Sequence, residues 1–518
     1  MNEISLNLWN WLLAFTPIII ILVLMLWRRW GASKAGGFAL LVTLLIAWLR
    51  FGAPFELLAY AQVKALLLAL DVLWIIWNAL ILFHLTRQAG AIDKIGKTLS
   101  NLTPDRTLQA LILGWVFPSF LQGMDGFGIP VAVSAPLLIS LGFTPIHAVL
   151  ITSIGHSWAV TFGSMASSFQ ILIAVTGLPG EVLAPFSLLL LGVACYVCGL
   201  IVAYLSDGWA GLKRNFSAIL ILATVMAFTQ YVVATYIVYN LAATLAGVMG
   251  LLTSIAITGW QSRKNHAANG HVGKDLASAF SSYIILVVMA LIINLVPPIK
   301  TFLSQVNITL NFPEVQTSLG WLVPAGSGRI LKPFSHPGSI ILYASVASYF
   351  LFKHFNLLPK GSLKSVFQRL ASAAEKSSAG IITMVTLSVV MTDSGMNQLL
   401  AVGLSQSFGA FFYPLAAPLI AALGAFITGS NSNANVLFAV LQMNTAQLLN
   451  ISVPLILAAQ TAGGALGSVI SPAKVIVGCS TVGLSGEEGR VMPKILLYGL
   501  IPIMTVGLLA FLLQWLAL

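Results

Sequence analysis

From Leu8 to Leu518 the chain is a succession of apolar runs joined by short polar segments, none long enough to fold as a soluble domain of its own. Such runs constrain the backbone strongly. In lipid every N–H and C=O must be paired within the protein, and a helix does this inside a single segment. A run of about 20 residues crosses roughly 30 Å of hydrocarbon. Charge is correspondingly scarce: 518 residues hold 25 Lys+Arg and 14 Asp+Glu, while 58% are hydrophobic, too little charge to wet a soluble protein of this size. The expected fold is an all-α polytopic membrane protein of about 12–15 spans. It forms one integral membrane domain over residues 1–518, with the lipid bilayer as its outer solvent.

The formal net charge of +11 does not mark a nucleic-acid binder, because the basic residues sit in the short joints between apolar runs. The first run, about Leu8–Trp27, is too long for a signal peptide and no small-residue cleavage site follows it. Arg28, Arg29 and Lys34 come next, so the N-terminus is expected outside and that joint in the cytoplasm of a bacterial cell with this chain in its inner membrane. Lys353, Lys360, Lys364, Arg369 and Lys376 mark a second cytoplasmic joint. Cys195 and Cys198 have redox spacing but lie in an apolar run, where packing is the simpler role.

The informative pattern is a faint internal repeat, about residues 66–205 and 376–485. Gly90 and Gly395 each close a run, at an offset of 305 residues, and Gly123 and Gly429 follow at an offset of 306. Each of the second pair sits in a polar, Gly-rich interruption: Gln122-Gly-Met-Asp-Gly-Phe-Gly128 and Thr428-Gly-Ser-Asn-Ser-Asn-Ala-Asn435. Runs flanking them are short, such as Leu108–Leu121 and Gly128–Leu141, whereas Ile146–Val175 reads as one long span. Two inverted repeats, each carrying a re-entrant hairpin or a broken helix in the corresponding place, are the pattern of a secondary transporter's binding site.

Non-helical backbone at membrane depth has to be buried in protein or line a wet cavity. The free N–H groups where a half-helix starts carry partial positive charge and suit a carboxylate. Gln122, Gly123, Gly126 and Gly128 from the first interruption, and Ser430, Asn431, Ser432, Asn433 and Asn435 from the second, are therefore the candidate substrate-binding residues, with Ser471 and Lys474 just downstream. Ionisable groups inside spans are functional candidates by default. Asp125 either takes up a proton or cation in the transport cycle or caps the following half-helix. His156 is either a packed neutral imidazole or a proton relay. Asp393 either belongs to the site or caps a hairpin. Lys474 and Arg329 are the candidate counter-charges for an anion, with snorkelling at the interface as the alternative.

Thr103-Pro-Asp-Arg-Thr-Leu-Gln109, Phe120–Val133, Gly424–Gln442 and Thr461–Gly486 resemble, in order and spacing, the blocks of the bacterial L-lactate permease family of proton-coupled monocarboxylate transporters. The stretch from Phe426 to Asn435 is similar to that family's Leu-Thr-Gly-Ser-Asp-Thr-Ser-Ser-Asn. The resemblance implies symport of L-lactate, glycolate or a related 2-hydroxymonocarboxylate with a proton and no cofactor. The repeat also resembles the wider ion-transporter superfamily, whose paired hairpins often work in homodimers by an elevator motion. The departures are specific. Where the family has Glu and Asp this chain has Gln122 and Asn431, and where the family commonly has Lys it has Ser468. Asp125 is expected to replace the missing Glu and Lys474 the missing Lys; otherwise the carrier is cation-coupled or uncoupled, or takes another small organic anion.

An anion channel would need a continuous polar path, which two buried interruptions fit less well than alternating access. An enzyme is not expected: no Gly-x-Ser-x-Gly elbow surrounds Ser157, and no His-Glu-x-x-His metal motif occurs.

Overall fold

Helix dominates the structure, a computed structural model that describes residues 7–28, 30–124, 126, 128–264, 280–485 and 487–516. Arg29, Asp125, Phe127 and Gly486 lie outside the described residues. The chain opens with α1 (Leu8–Leu26), α2 (Ala32–Leu49) and the long α3 (Phe55–Gln88), followed by α4 (Ala91–Ser100). Gly90 turns the chain between α3 and α4 in the left-handed region, at φ 70°, where a side chain is disfavoured. Gly395 does the same at φ 81° between α16 and α17, defined below.

The first interruption is a helical hairpin. Its descending arm is α5 (Arg106–Leu111), a π-helical turn over Ile112–Val116, and α6 (Phe117–Met124). Its returning arm is α7 (Ile129–Ser140), started by Gly128 at φ 91°. Twelve residues rise only about 18 Å, too little for the hydrocarbon core. A broken helix follows: α8 (Pro145–His156), a 3₁₀ turn at Ser157–Ala159, and α9 (Gly163–Thr176), bent by 49°. The stretch expected as one span from Ile146 to Val175 is thus two half-helices. Then come α10 (Gly180–Arg214), α11 (Phe216–Val232), α12 (Ala242–Lys264), α13 (Ser281–Leu295) and α14 (Pro297–Leu303).

Between α14 and α15 (Pro337–His354) lies a small nested β-segment. Asn311–Phe312 pairs with Gly326–Ser327, and Val315–Gln316 pairs with Leu322–Val323, all antiparallel. Ser318 N–H donates to Gly52 C=O at 2.9 Å, which places this segment over the joint between α2 and α3. After α16 (Ser362–Asp393) the second hairpin is formed by α17 (Met396–Thr428), kinked at Gly409, and α18 (Asn431–Leu448). A second break separates α19 (Val453–Val469) from α20 (Pro472–Thr481), and α21 (Glu488–Leu516) closes the chain.

The hairpin arms are held by close backbone approach and buried amides. A methyl on Gly467 of α19 would lie 2.5 Å from Cα of Ala422 in α17, so only glycine permits this contact. Gln442 donates to Ala417 C=O at 3.0 Å and to Gln460 Oε1 at 3.1 Å, and accepts from the Tyr413 hydroxyl at 2.6 Å, all buried. Among the described residues nine helices are long and apolar enough to cross a membrane, or up to eleven if each bent pair is one span. The expected 12–15 counted as spans the short hairpin arms α5–α6, α7 and α18, and also α15 and α16, none of which is among the nine.

Candidate functional site

Two of the half-helices at the interruptions, α18 and α20, begin with a serine cap. Ser430 is extended and its Oγ accepts from Asn433 N–H at 3.3 Å, starting α18. Ser471 Oγ likewise accepts from Lys474 N–H at 3.4 Å, starting α20. Such caps satisfy N–H groups that no water reaches. The break before α9 is built differently. Ser164, Met165 and Ala166 are left-handed, at φ 47°, 53° and 59°, a conformation that costs non-glycine residues about 1–2 kcal/mol each. Tertiary bonds hold it: Gly126 N–H donates to Ser164 Oγ at 2.7 Å, and Asn240 Nδ2 donates to Met165 C=O at 2.8 Å.

Both hairpin tips and both helix breaks meet at one cavity of about 200 Å³. Gln122, Gly126 and Gly128 come from the first tip; Gly429, Ser430, Asn431 and Ser432 come from the second. Ser164, Ser167 and Ser168 come from the first break, and Ala473, Lys474 and Val477 from the second. At about 30 Å³ per water this volume equals some six or seven water molecules, the size of a ligand with few heavy atoms. The lining combines hydroxyls, amides, backbone and one cation with the apolar side chains of Val160, Ala473 and Val477. No Asp or Glu lines the cavity among the described residues.

Behind the wall, Thr461 ties the second hairpin tip to the turn between α8 and α9. Its Oγ1 accepts from Asn435 Nδ2 at 2.9 Å and from Asn431 Nδ2 at 3.4 Å, and its C=O accepts from the Thr161 hydroxyl at 3.0 Å. Asn431 Nδ2 also reaches Thr161 Oγ1 at 3.2 Å, and Ser168 shares a hydrogen bond with Ser432 at 3.0 Å. Among the described residues, the buried side-chain amide oxygens of Gln122, Asn431, Asn433 and Asn435 have no hydrogen-bond partner. Lys474 Nζ donates to Ser468 Oγ at 3.2 Å, and no ion pair of Lys474 is found among the described residues.

Seven of the residues singled out from sequence therefore line one cavity: Gln122, Gly126, Gly128, Ser430, Asn431, Ser432 and Lys474. Four others support it from outside the lining. Gly123 packs on the backbone of Thr244, Asn433 and Ser471 serve the caps, and Asn435 bonds to Ser168 C=O at 3.0 Å. His156 does not line the cavity; its buried Nδ1 donates to Thr152 C=O at 2.6 Å, since a carbonyl can only accept. Asp393 lies elsewhere, paired with Lys64 at 3.0 Å. Asp125 is outside the described residues, though Gly126 beside it lines the cavity. Sequence reasoning passed over Ser164, Ser167, Ser168, Thr161 and Thr461. The run Gly163-Ser-Met-Ala-Ser-Ser, polar within an apolar stretch, was the available signal. Among the described residues no group of His, Cys, Asp and Glu is placed to hold a metal ion.

The family model of the L-lactate permease matches residues 10–517. The chain belongs to the L-lactate permease family. Its relatives include the glycolate permease GlcA of Escherichia coli, 29% identical over 541 residues, covering 97% of this chain and 95% of that protein. The L-lactate permease of the same organism is 26% identical over 544 residues, covering 98% and 97%. That of Halalkalibacterium halodurans is 28% identical over 517 residues, covering 97% and 95%. As a member of this permease family the chain is a transporter and a multi-pass protein of the bacterial inner membrane.

Proposed function

We propose that this permease carries a small 2-hydroxymonocarboxylate, such as L-lactate or glycolate, together with a proton, in the cavity where the four interruptions meet. One observation carries the reading: Lys474 is the single cation among the described lining residues, and its ammonium lies 3.2 Å from Ser468 Oγ, at the position where the family commonly has Lys. The counter-charge has moved six residues along the chain and returns to the same place. Serine hydroxyls and the starts of the half-helices supply donors for the rest of a carboxylate and its 2-hydroxyl. Asp125, beside Gly126, is the proposed proton carrier, replacing the carboxylate absent at Gln122. The names of the relatives supply the substrate class.

Two related halves, inverted relative to one another, are the architecture we propose for the interruptions, supported by the common offset of Gly90/Gly395 and Gly123/Gly429. A homodimer is the proposed assembly, by likeness to the wider superfamily. The face carrying Gly52 is proposed to be periplasmic, because Arg28, Lys34, Lys360 and Lys364 lie toward the opposite ends of α2 and α16.

A cation-coupled cycle is the second reading, favoured by the unpartnered carbonyl oxygens of Asn431 and Asn435, which are acceptors and suit a cation rather than a carboxylate. Uptake of labelled L-lactate by the purified chain in liposomes separates the two. Proton-stimulated, sodium-independent uptake is expected; stimulation by sodium alone selects the second reading, and no uptake of lactate or glycolate under either gradient overturns both.

A further inference from the structure

A second cavity, of about 550 Å³, lies beneath the nested β-segment. Its walls are α3 at Lys64, the end of α9 at Val175, the end of α16 at Thr392 and Asp393, and the β-segment at Phe312 and Arg329. Val440 of α18 also lines it. The same two helices, α9 and α18, thus line both cavities, at Ser168 and Ser432 for the inner one and at Ala174 and Val440 for this one. At 1.5 Å per residue the two levels are about 9–12 Å apart. Between those levels Ile171, Val436 and Leu437 join one buried apolar cluster with residues of α3 and α16.

Two cations with donors to spare stand at this outer cavity. Lys64 Nζ pairs with Asp393 at 3.0 Å, and lies 5.4 Å from the centre of the Phe312 ring. Arg329 gives its Nε and Nη2 to Asp71 Oδ2, at 3.1 and 3.0 Å. Asp71 is also bonded by His336 Nε2 at 3.1 Å and Gln170 Nε2 at 3.0 Å, so its charge is met from three sides and needs little more from Arg329. An ammonium has three donor hydrogens and a guanidinium five. Lys64 therefore retains two and Arg329 three, enough to hold a second carboxylate without breaking either pair.

We propose that the outer cavity is a second binding site for the same small carboxylate, held by Lys64 and Arg329 before it passes the apolar septum of Ile171, Val436 and Leu437 to the Lys474 cavity. The proposal rests on the carboxylate reading of the inner cavity. Holding the anion there by charge-assisted hydrogen bonds from the spare donors of Lys64 and Arg329 raises its concentration at the way into the inner site.

The test uses the full chain in liposomes with S327C as a reporter. Ser327 lines the outer cavity and is exposed, whereas Cys195, Cys198 and Cys479 are buried. L-lactate is expected to slow labelling of the S327C thiol by a water-soluble maleimide, and to do so equally when K474Q removes the inner counter-charge. Unslowed labelling, or slowing that K474Q abolishes, overturns the outer site. The neutral pair replacement K64M/D393N, which leaves no buried charge unpartnered, should raise KM for uptake about tenfold, the worth of one charge-assisted hydrogen bond, with kcat within about twofold. An unchanged KM would also overturn it. Absence of lactate and glycolate uptake by the unmodified chain counts instead against the inner-site reading, so the two failures are told apart.

Discussion

Lys474 and Ser468 face each other across the second break, with Nζ and Oγ 3.2 Å apart, although six residues and a helix boundary separate them. The break lies between them: α19 ends at Val469 and α20 starts at Pro472, and the Lys474 side chain reaches back across it to Ser468. Charge at the cavity is thus a matter of place rather than of sequence position. K474Q should reduce lactate uptake at least tenfold, the effect of losing a charge-assisted hydrogen bond. The relocated lysine K474S/S468K should restore most of it. Uptake by that double variant no better than by K474Q would refute the shared placement.

Coupling can be tested at Asp125. D125N should remove the stimulation by an inward proton gradient while leaving binding of lactate measurable by calorimetry. The sign follows from the chemistry: a carboxyl that carries the proton inward is loaded at the acidic outer pH and emptied inside, and an amide does neither. Gradient-dependent uptake by D125N at the unmodified rate would remove Asp125 from the cycle.

Thr461 joins the start of α18 to the turn between α8 and α9 through Asn431, Asn435 and Thr161. T461V keeps the volume but leaves the Asn435 amide without its bond to Thr461 Oγ1. Each buried polar group so orphaned costs about 1–3 kcal/mol. We expect a lowered Tm in detergent and a loss of uptake larger than that of T253V, whose exposed hydroxyl donates to Met249 C=O of its own helix.

The left-handed turn at Ser164–Ala166 offers a contrast between two backbone states. A166G should leave Tm unchanged or raise it slightly, since glycine adopts φ near +60° without the steric cost of about 1–2 kcal/mol. A439G, in the regular helix α18, should lower stability by about 1 kcal/mol. Equal losses of Tm in both variants would contradict the left-handed turn.

Close approach makes Gly467 a further test. G467A places a methyl 2.5 Å from Cα of Ala422 and forces α17 and α19 apart. The expected cost is about 1–3 kcal/mol, read as a fall in Tm together with weaker lactate binding, because the same hairpin carries Ser430–Ser432 to the cavity. G259A, where an added methyl meets nothing, should change neither.

Much of this protein was legible before any fold was known. Apolar runs and scarce charge determine a helical membrane protein, because lipid leaves the backbone few other ways to pair its hydrogen bonds. The clusters at Gln122–Gly128 and Thr428–Asn435 were equally legible, since amides and glycines between apolar runs have to be buried in protein or line a wet cavity. What sequence could not decide was proximity. Ser164, Ser167 and Ser168 read as part of one span, because a left-handed turn of non-glycine residues is stabilised by Gly126 and Asn240 from other segments and its local mark is only a short polar run within an apolar stretch. Asp393 read either as a member of the same site or as a hairpin cap, and it lies at the outer cavity, tied to Lys64 across 329 positions of sequence. Composition and periodicity are local properties and determine the elements; which interruptions meet, and which charges answer one another, depends on packing between segments hundreds of residues apart.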